Sequence, residues 1–369
     1  MTLQPDILVV GGGPAGLATA IAAARRGFRV AVVDGCTPPI DKACGEGLLP
    51  DAVAALGDIG VALDPSIAFP FTGIQFSDEA SSASAKIARG KAFGLRRTVL
   101  HQLLVHRAEG AGVAFFWGAR ISGFDHGRLC VNGRPVQYKW LVGADGWNSI
   151  VRKSAGLGPM RSRRSRFSFR RHFAVRPWTD SVEVHWGERC QMIITPTGAE
   201  EICVAVFSRD PHMRIDHALA GFPEIAGRLS GARPLSAEAG AVTSLGRARA
   251  IARGNIALVG DASCTLDGIA GQGLSLALQE ASPLAEAFAR EDLSYYEAAH
   301  RRITRTPVRM TQLLLWMDGN AWLRRKVLRL FASKPAVFSK LMAIHTGASA
   351  AQTLPAREIL SLCGLARRP

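Results

Sequence analysis

Short, unbroken apolar runs, each stopped by glycine or aspartate, mark the start of the chain and return twice further on. Asp6 to Val10 carries Ile-Leu-Val-Val ahead of glycines, the pattern of a fully buried parallel strand. Pro14 to Arg26 is alanine-rich, with proline in the first turn and Gly27 after the last, which predicts a helix. Phe28 to Val33 is a second apolar strand, so the first 33 residues form a minimal β-α-β unit. Tyr138 to Gly143 and Asn255 to Gly260 repeat the buried-strand pattern, and each runs into a Gly/Asp cluster.

Between Phe167 and Phe207 the period changes to two. Ser181 to Trp186 and Glu201 to Phe207 alternate and are separated by turn residues, which predicts an antiparallel sheet and the wall of a substrate chamber. From Gly273 onward the pattern is helical. Ser275 to Arg290 reads as one long helix, followed by Leu293 to Met317, Ala321 to Ala332 and a short amphipathic Ala336 to Ile344. The fold class is therefore α/β: a Rossmann-like dinucleotide-binding domain, an inserted antiparallel-sheet substrate domain and a helical C-terminus. The expected boundaries are 1–70, 95–160 and 250–290 for the discontinuous first domain. Segments 71–94 and 161–249 make the sheet domain, and 291–369 the helical region.

At 369 residues and 48% hydrophobic, the chain can bury the core of two domains or of one large elaborated one. The net charge of +15 is compatible with nucleic acid, anionic lipid or a phosphate-rich cofactor. The densest basic run, Arg161 to Arg171 with Arg163, Arg164, Arg166 and Arg170 inside it, lacks any nucleic-acid module. It reads as a solvated or membrane-facing surface, and no nucleic-acid partner is expected. The cysteines, Cys36, Cys44, Cys130, Cys190, Cys203, Cys264 and Cys363, form no C-x-x-C pair, so neither a disulfide framework nor a zinc site is expected. No signal peptide and no spanning segment are read, which places the chain in the cytoplasm. The C-terminal helices read first as a cover over the substrate chamber, and peripheral membrane contact is a further expectation. Leu313 to Met317 and Val327, Leu328, Leu330 and Phe331 are apolar, and Arg324, Arg325, Lys326 and Arg329 alternate with the latter.

Five segments carry chemistry. In Gly11-Gly12-Gly13-Pro14-Ala15-Gly16, Gly11 permits the tight turn, Gly13 close approach to a pyrophosphate, and Gly16 close packing of helix on strand. The helix N-terminus then offers free N–H groups to phosphate. Asp34, eighteen residues after Gly16, suits the ribose hydroxyls of an adenosine. In Lys42 to Pro50, the glycines of Cys44-Gly45-Glu46-Gly47 let backbone lie flat on a planar ligand, with Cys44 beside it. Arg97 begins a helix and can hold a phosphate or a cofactor edge. Leu141 to Ser149 and Ala257 to Gly273 are buried strands ending in Asp145 and Asp261, acids able to accept from sugar-type hydroxyls. Gly271-Gln272-Gly273 opens the helix that follows. Taken singly, these are glycine turns, a surface loop, a solvated arginine and βα turns. Together and in this order they define a dinucleotide site.

On these residues the chain resembles the FAD-dependent oxidoreductases of the aromatic-hydroxylase fold, the single-component flavin monooxygenases. Within them it resembles the geranylgeranyl-reductase-like branch, over roughly residues 5 to 290. The resemblance implies non-covalent FAD on the glycine motif, with Asp145 near the pyrophosphate and the nicotinamide approach. Asp261 would meet the ribityl or ribose, Arg97 the cofactor, and Gly271 to Gly273 the isoalloxazine. The helix they open would set its positive end against a reduced flavin. The Cys44–Gly47 loop is similar to the loop beside the flavin in the reductase-like branch. Cys264 and Gly268 depart from the His and Pro found there in many hydroxylases. The halogenase Trp-x-Trp-x-Ile-Pro signature is absent, and no cysteine cluster suits an iron–sulfur centre.

The activity implied is an NAD(P)H-using monooxygenase that hydroxylates an apolar or aromatic small molecule through a flavin C4a-hydroperoxide. NADH or NADPH would dock transiently, since a single glycine fingerprint is seen. The alternative is a flavin-dependent reductase of prenyl double bonds, and a third reading is a flavoprotein-like binding protein without activity. Cys44 is the one candidate catalytic residue. His172 and His185 on the sheet are candidate bases whose plainer reading is as packed strand histidines. No metal is expected.

Overall fold

The computed structural model describes residues 4–125, 128–162 and 165–348. A six-stranded sheet orders its strands Ala252–Arg253, Ile256–Leu258, Trp140–Gly143, Ile7–Val10, Val30–Asp34 and Ala114–Trp117. All neighbours are parallel except the first pair. Each side chain of Ile7–Val10 is fully buried because both faces are covered. Ile7 and Val9 pack with Leu17 and Ile21 of helix Pro14–Ala24 and with Leu284 and Phe288. Leu8 and Val10 pack with Leu129, Leu141 and Val151 on the other side.

The helix–strand crossing is tight. A Cβ on Gly16 would sit 1.9 Å from the Gly11 carbonyl oxygen, and one on Gly11, whose φ is +110°, 2.3 Å from the Ala144 carbonyl oxygen. Glycine at 11 and 16 thus sets how closely the first helix, the first strand and the Ala144–Asp145 turn approach.

A seven-stranded sheet runs Ala239–Thr243, Arg166–Phe173, Glu201–Ser208, Cys190–Gly198, Ser181–Trp186, Gly73–Ser77 and Ser82–Lys86. It is antiparallel except where Ser181–Trp186 lies parallel to Gly73–Ser77. One face packs on the short helices Ile215–Leu219 and Pro223–Arg228. The other packs Phe76, Trp186 and Ile193 with Leu314, Val327, Phe331 and Phe338 of the C-terminal helices.

Three expectations are corrected. The helix read as Ser275 to Arg290 is two, Gly273–Gln279 and Ala281–Ala289. Pro283 lacks the N–H that would close on the Gln279 carbonyl, so the ladder breaks there. The basic run is not a solvated surface. Arg166 and Arg170 are 3% and 2% exposed, because alternate residues of strand Arg166–Phe173 face inward; Arg163 and Arg164 lie outside the described residues. Arg324 is also buried rather than on the water-facing side of helix Ala321–Ser333, its guanidinium near the Met317 carbonyl. Cys363 also lies outside the described residues.

Gly16→Ala forces backbone apart at the first crossing. It is expected to destabilise the fold by about 1–3 kcal/mol, read as a lower thermal midpoint in both FAD-free and FAD-supplemented protein.

Candidate functional site

A cavity of about 680 Å³ lies between the two sheets. At one end it is lined by Gly11, Gly13, Pro14, Ala15, Asp34, Cys44, Gly45, Glu46, Gly47, Arg97, Asp145 and Asp261. Gly271 and Gly273 also line it, whereas Gly16 and Gln272 do not. Gly16 is spent on the helix crossing. The Gln272 amide donates to the His345 carbonyl at 2.5 Å, pinning the flanking glycines to the C-terminal helix Pro335–His345.

Asp34 ends its strand with both carboxylate oxygens on backbone: Gly12 N donates to Oδ2 at 2.6 Å and Cys36 N to Oδ1 at 2.7 Å. This fixes the glycine turn. Asp145 receives Ile150 N at 2.6 Å and Val151 N at 3.1 Å on Oδ2, so it caps helix Ile150–Ser154, while Oδ1 is buried without a partner. Asp261 pairs with Lys42 at 2.7 Å, a partner inside a segment the sequence singled out for other reasons.

Arg97 begins helix Arg97–Glu109 and is 7% exposed; its Nη1 has no partner, and burial pulls its pKa down. A buried guanidinium without a carboxylate is costly unless an anion meets it. The neighbouring Gly13 leaves such room: the nearest atom to a Cβ there would be the Arg97 guanidinium, 4.0 Å away. The N-cap of helix Pro14–Ala24 is Gly13, and no side chain occupies its N-terminal amides. An unpaired buried cation, a bare helix N-terminus and an open glycine fit a pyrophosphate.

Cys44 is half-buried at the cavity wall. Its Sγ accepts from Glu46 N at 3.3 Å, and burial pushes its pKa up, so it is held as a thiol. Glu46 sends its carboxylate into the protein. There it accepts Arg97 N at 3.0 Å and meets His172 Nε2 at 2.6 Å, with Arg170 Nε at 3.7 Å. His172 in turn reaches the Ser236 hydroxyl through Nδ1 at 2.9 Å. His185 contacts Glu183 at 2.8 Å and Ser77 at 2.7 Å. Neither histidine lines the cavity.

Glu46, His172 and Cys203 present ligand-type atoms within 4.8 Å of one another. The charges argue against a cation there. Two guanidiniums, those of Arg170 and Arg97, stand close by. A metal would also have to part Glu46 from His172 and ionise Cys203, whose burial pushes its pKa well up.

Three supports had no role assigned from the sequence, although Arg152 stands just after the Asp145 motif. Arg152 is 3% exposed and donates to the Trp147 and Ala262 carbonyls at 2.5 and 3.0 Å, tying the two acid-ended turns together. Glu280, fully buried, accepts Gly260 N at 2.6 Å and the Ser263 hydroxyl at 3.1 Å, beside His300. His345 lines the cavity's far end. Arg152 and Glu280 follow their motifs closely enough to be suspected, but nothing local announces His345.

The fold and the geometry of the site fit a dinucleotide cofactor, with further cavity volume beyond it. Residues 4–293 match the family described as FAD binding domain, and the chain belongs to that family of FAD-dependent oxidoreductases, flavin monooxygenases among them. A menaquinone reductase of Mycolicibacterium smegmatis is 55% identical over 62 residues, 17% of this chain and 15% of that protein. The 3-hydroxybenzoate 6-hydroxylase of Polaromonas naphthalenivorans is 32% identical over 164 residues, 40% of this chain and 41% of that one. The matched stretches thus span well under two thirds of these relatives. A flavoprotein/dehydrogenase structure from Cytophaga hutchinsonii superposes with a TM-score of 0.80 at 18% identity, covering 94% of this chain and 93% of the other.

Arg97→Met removes the unpaired cation. It is expected to weaken FAD binding about ten- to a hundredfold, measured by the fluorescence of FAD on release, with Arg97→Lys intermediate.

Proposed function

We propose that the protein is an NAD(P)H-using monooxygenase that hydroxylates an apolar or aromatic small molecule. The observation that carries this reading is the continuity of the cavity. Its glycine, Arg97 and Asp261 end opens onto an apolar end lined by Phe71, Ile74, Phe76, Val184, Phe207 and Leu314. Bound FAD supplies hydride acceptance and oxygen activation. The chain's own part is positional. Gly11 to Ala15 and Arg97 hold the pyrophosphate, and Asp34 the adenosine ribose. Asp261 faces the hydroxyls between, and Cys44–Gly47 with Gly271 and Gly273 flank the ring. The apolar end excludes water and orients the substrate. Reductant docks transiently, as NADH or NADPH.

One observation favours the alternative, a reductase of prenyl double bonds. A protonated thiol, Cys44, stands at the cavity wall, and a relative bears the name menaquinone reductase. The two readings separate in one assay. With purified FAD-loaded protein, oxygenation is expected to consume dioxygen with NAD(P)H and to yield a product one oxygen atom heavier. A product gaining two hydrogens without oxygen uptake would establish the reductase and overturn the oxygenase. Cys44→Ala should change turnover while leaving the thermal midpoint unaltered.

Membrane contact belongs to the same reading as a route for an apolar substrate. No helix among the described residues is long and apolar enough to cross a membrane. Trp316 and Trp322 are 49% and 55% exposed, with Lys326 over the Trp322 ring at 4.2 Å and Arg325 and Arg329 beside it. Co-sedimentation with anionic liposomes at low salt, lost at high salt, is the expected result. Equal recovery with neutral lipid would remove the idea.

A further inference from the structure

The far end of the cavity is built from the sheet, the Thr265–Ala270 segment and the C-terminal helices. Its lining carries Ile74, Phe76, Val184, Ile193, Phe207 and Leu314 among others, with scattered hydroxyls of Ser168, Thr195 and Thr243. Among the described residues, every lysine, arginine, aspartate and glutamate that lines the cavity belongs to the cofactor end. The inward arginines nearest the sheet lining are committed elsewhere. Arg166 pairs with Asp267 and Asp318, and Arg170 with Asp41 and Glu46. One titratable side chain remains, His345. It is 6% exposed, its ring makes one hydrogen bond to the Ala270 backbone, its Nδ1 has no partner, and its helix is held to the Gly271–Gly273 turn by Gln272.

We infer that this chamber admits an uncharged aromatic substrate bearing a hydroxyl and that His345 Nδ1 accepts the hydrogen bond that orients it. The inference rests on the proposed reading and names the substrate class for the same site. A carboxylate entering the chamber would lose its hydration and find no free cation. A neutral hydroxyl gives up less and gains an acceptor in Nδ1, which otherwise lacks a partner. Burial holds His345 far below its ordinary value of 6.5, at about 4, so the ring is neutral near pH 7; with its N–H on the Ala270 backbone, the other nitrogen is left to accept. A neutral ring also offers no counter-charge to an anion.

The test uses oxidised, FAD-loaded protein without NAD(P)H and reads the flavin visible spectrum on titration. Three probes share one skeleton: naphthalene, 1-naphthol and 1-hydroxy-2-naphthoate. At pH 7.5, 1-naphthol is expected to bind at least about tenfold more tightly than the carboxylate. His345→Leu should weaken 1-naphthol about five- to tenfold and leave naphthalene within about twofold. His345→Phe keeps a ring in the slot without its nitrogens, and repeats the test if the leucine variant does not retain FAD. Carboxylate binding as tight as that of 1-naphthol overturns the inference. So does a parallel loss of naphthol and naphthalene in the variants, or a lack of saturable binding by both uncharged probes. Because no turnover is involved, these outcomes are independent of whether the reaction is oxygenation or reduction.

Discussion

The Glu46 carboxylate is buried where three segments distant in sequence meet. It receives the first amide of helix Arg97–Glu109, pairs with His172 on strand Arg166–Phe173, and sits in the loop that carries Cys44 and Gly45. An isolated buried carboxylate would cost several kcal/mol. Here the Arg97 amide, the imidazole and the Arg170 guanidinium answer it. Glu46 also has φ of +60°, a left-handed conformation that non-glycine residues adopt at a cost of about 1 kcal/mol or more. The three contacts fix that conformation and so aim the Cys44 side of the loop at the cavity. Removing the carboxylate would release the loop, uncap the helix start that holds Arg97 and leave the His172 ring and the Arg170 guanidinium without this partner. The loop that carries Cys44, the start of helix Arg97–Glu109 and the inserted sheet are therefore held together by one side chain.

The same device recurs at the two acid-ended strands. Asp145 is held by capping the helix after it, and the turn before Asp261 is held by Glu280 through Gly260 N. Arg152 then bridges the loops from within. The Glu46 loop and the turn before Asp261 are each backed by a buried polar group from another segment, as low-dielectric surroundings demand when backbone must stay rigid without regular hydrogen bonding.

What could be read in the sequence follows from range. The β-α-β unit was legible because period, proline, glycine and strand length all act within thirty residues. The sheet was legible from alternation at Ser181–Trp186 and Glu201–Ser208. The basic run misled because composition was weighed without alternation: in Arg166-Phe-Ser-Phe-Arg-Arg-His172 every second residue points inward, so two arginines enter the interior to meet Asp267, Asp318, Asp41 and Glu46. Those acids lie far away in sequence, and no local signal pairs them. His172 was suspected for its type. Its role as the partner of Glu46 depends on a contact between residues 126 positions apart.

The register of the seven-stranded sheet turns that misreading into a statement about the cavity. Across one row lie Arg170, Ala205, Ile193, Val184 and Phe76, each paired with the next. A second row runs from His172 through Cys203 and Thr195 to Val182 and Ile74. Both rows begin charged or polar beside the Asp41–Glu46 loop and end apolar beneath the C-terminal helices. The gradient needs no moving part, because adjacent strands place like-facing residues about 5 Å apart. A strand slipped by one residue would exchange both rows for their neighbours and put Phe169 and Arg171 inside. One sheet therefore runs from buried polar contacts behind the Asp41–Glu46 loop to an apolar wall of the cavity beneath the C-terminal helices, and its polar edge is written in the alternation of strand Arg166–Phe173.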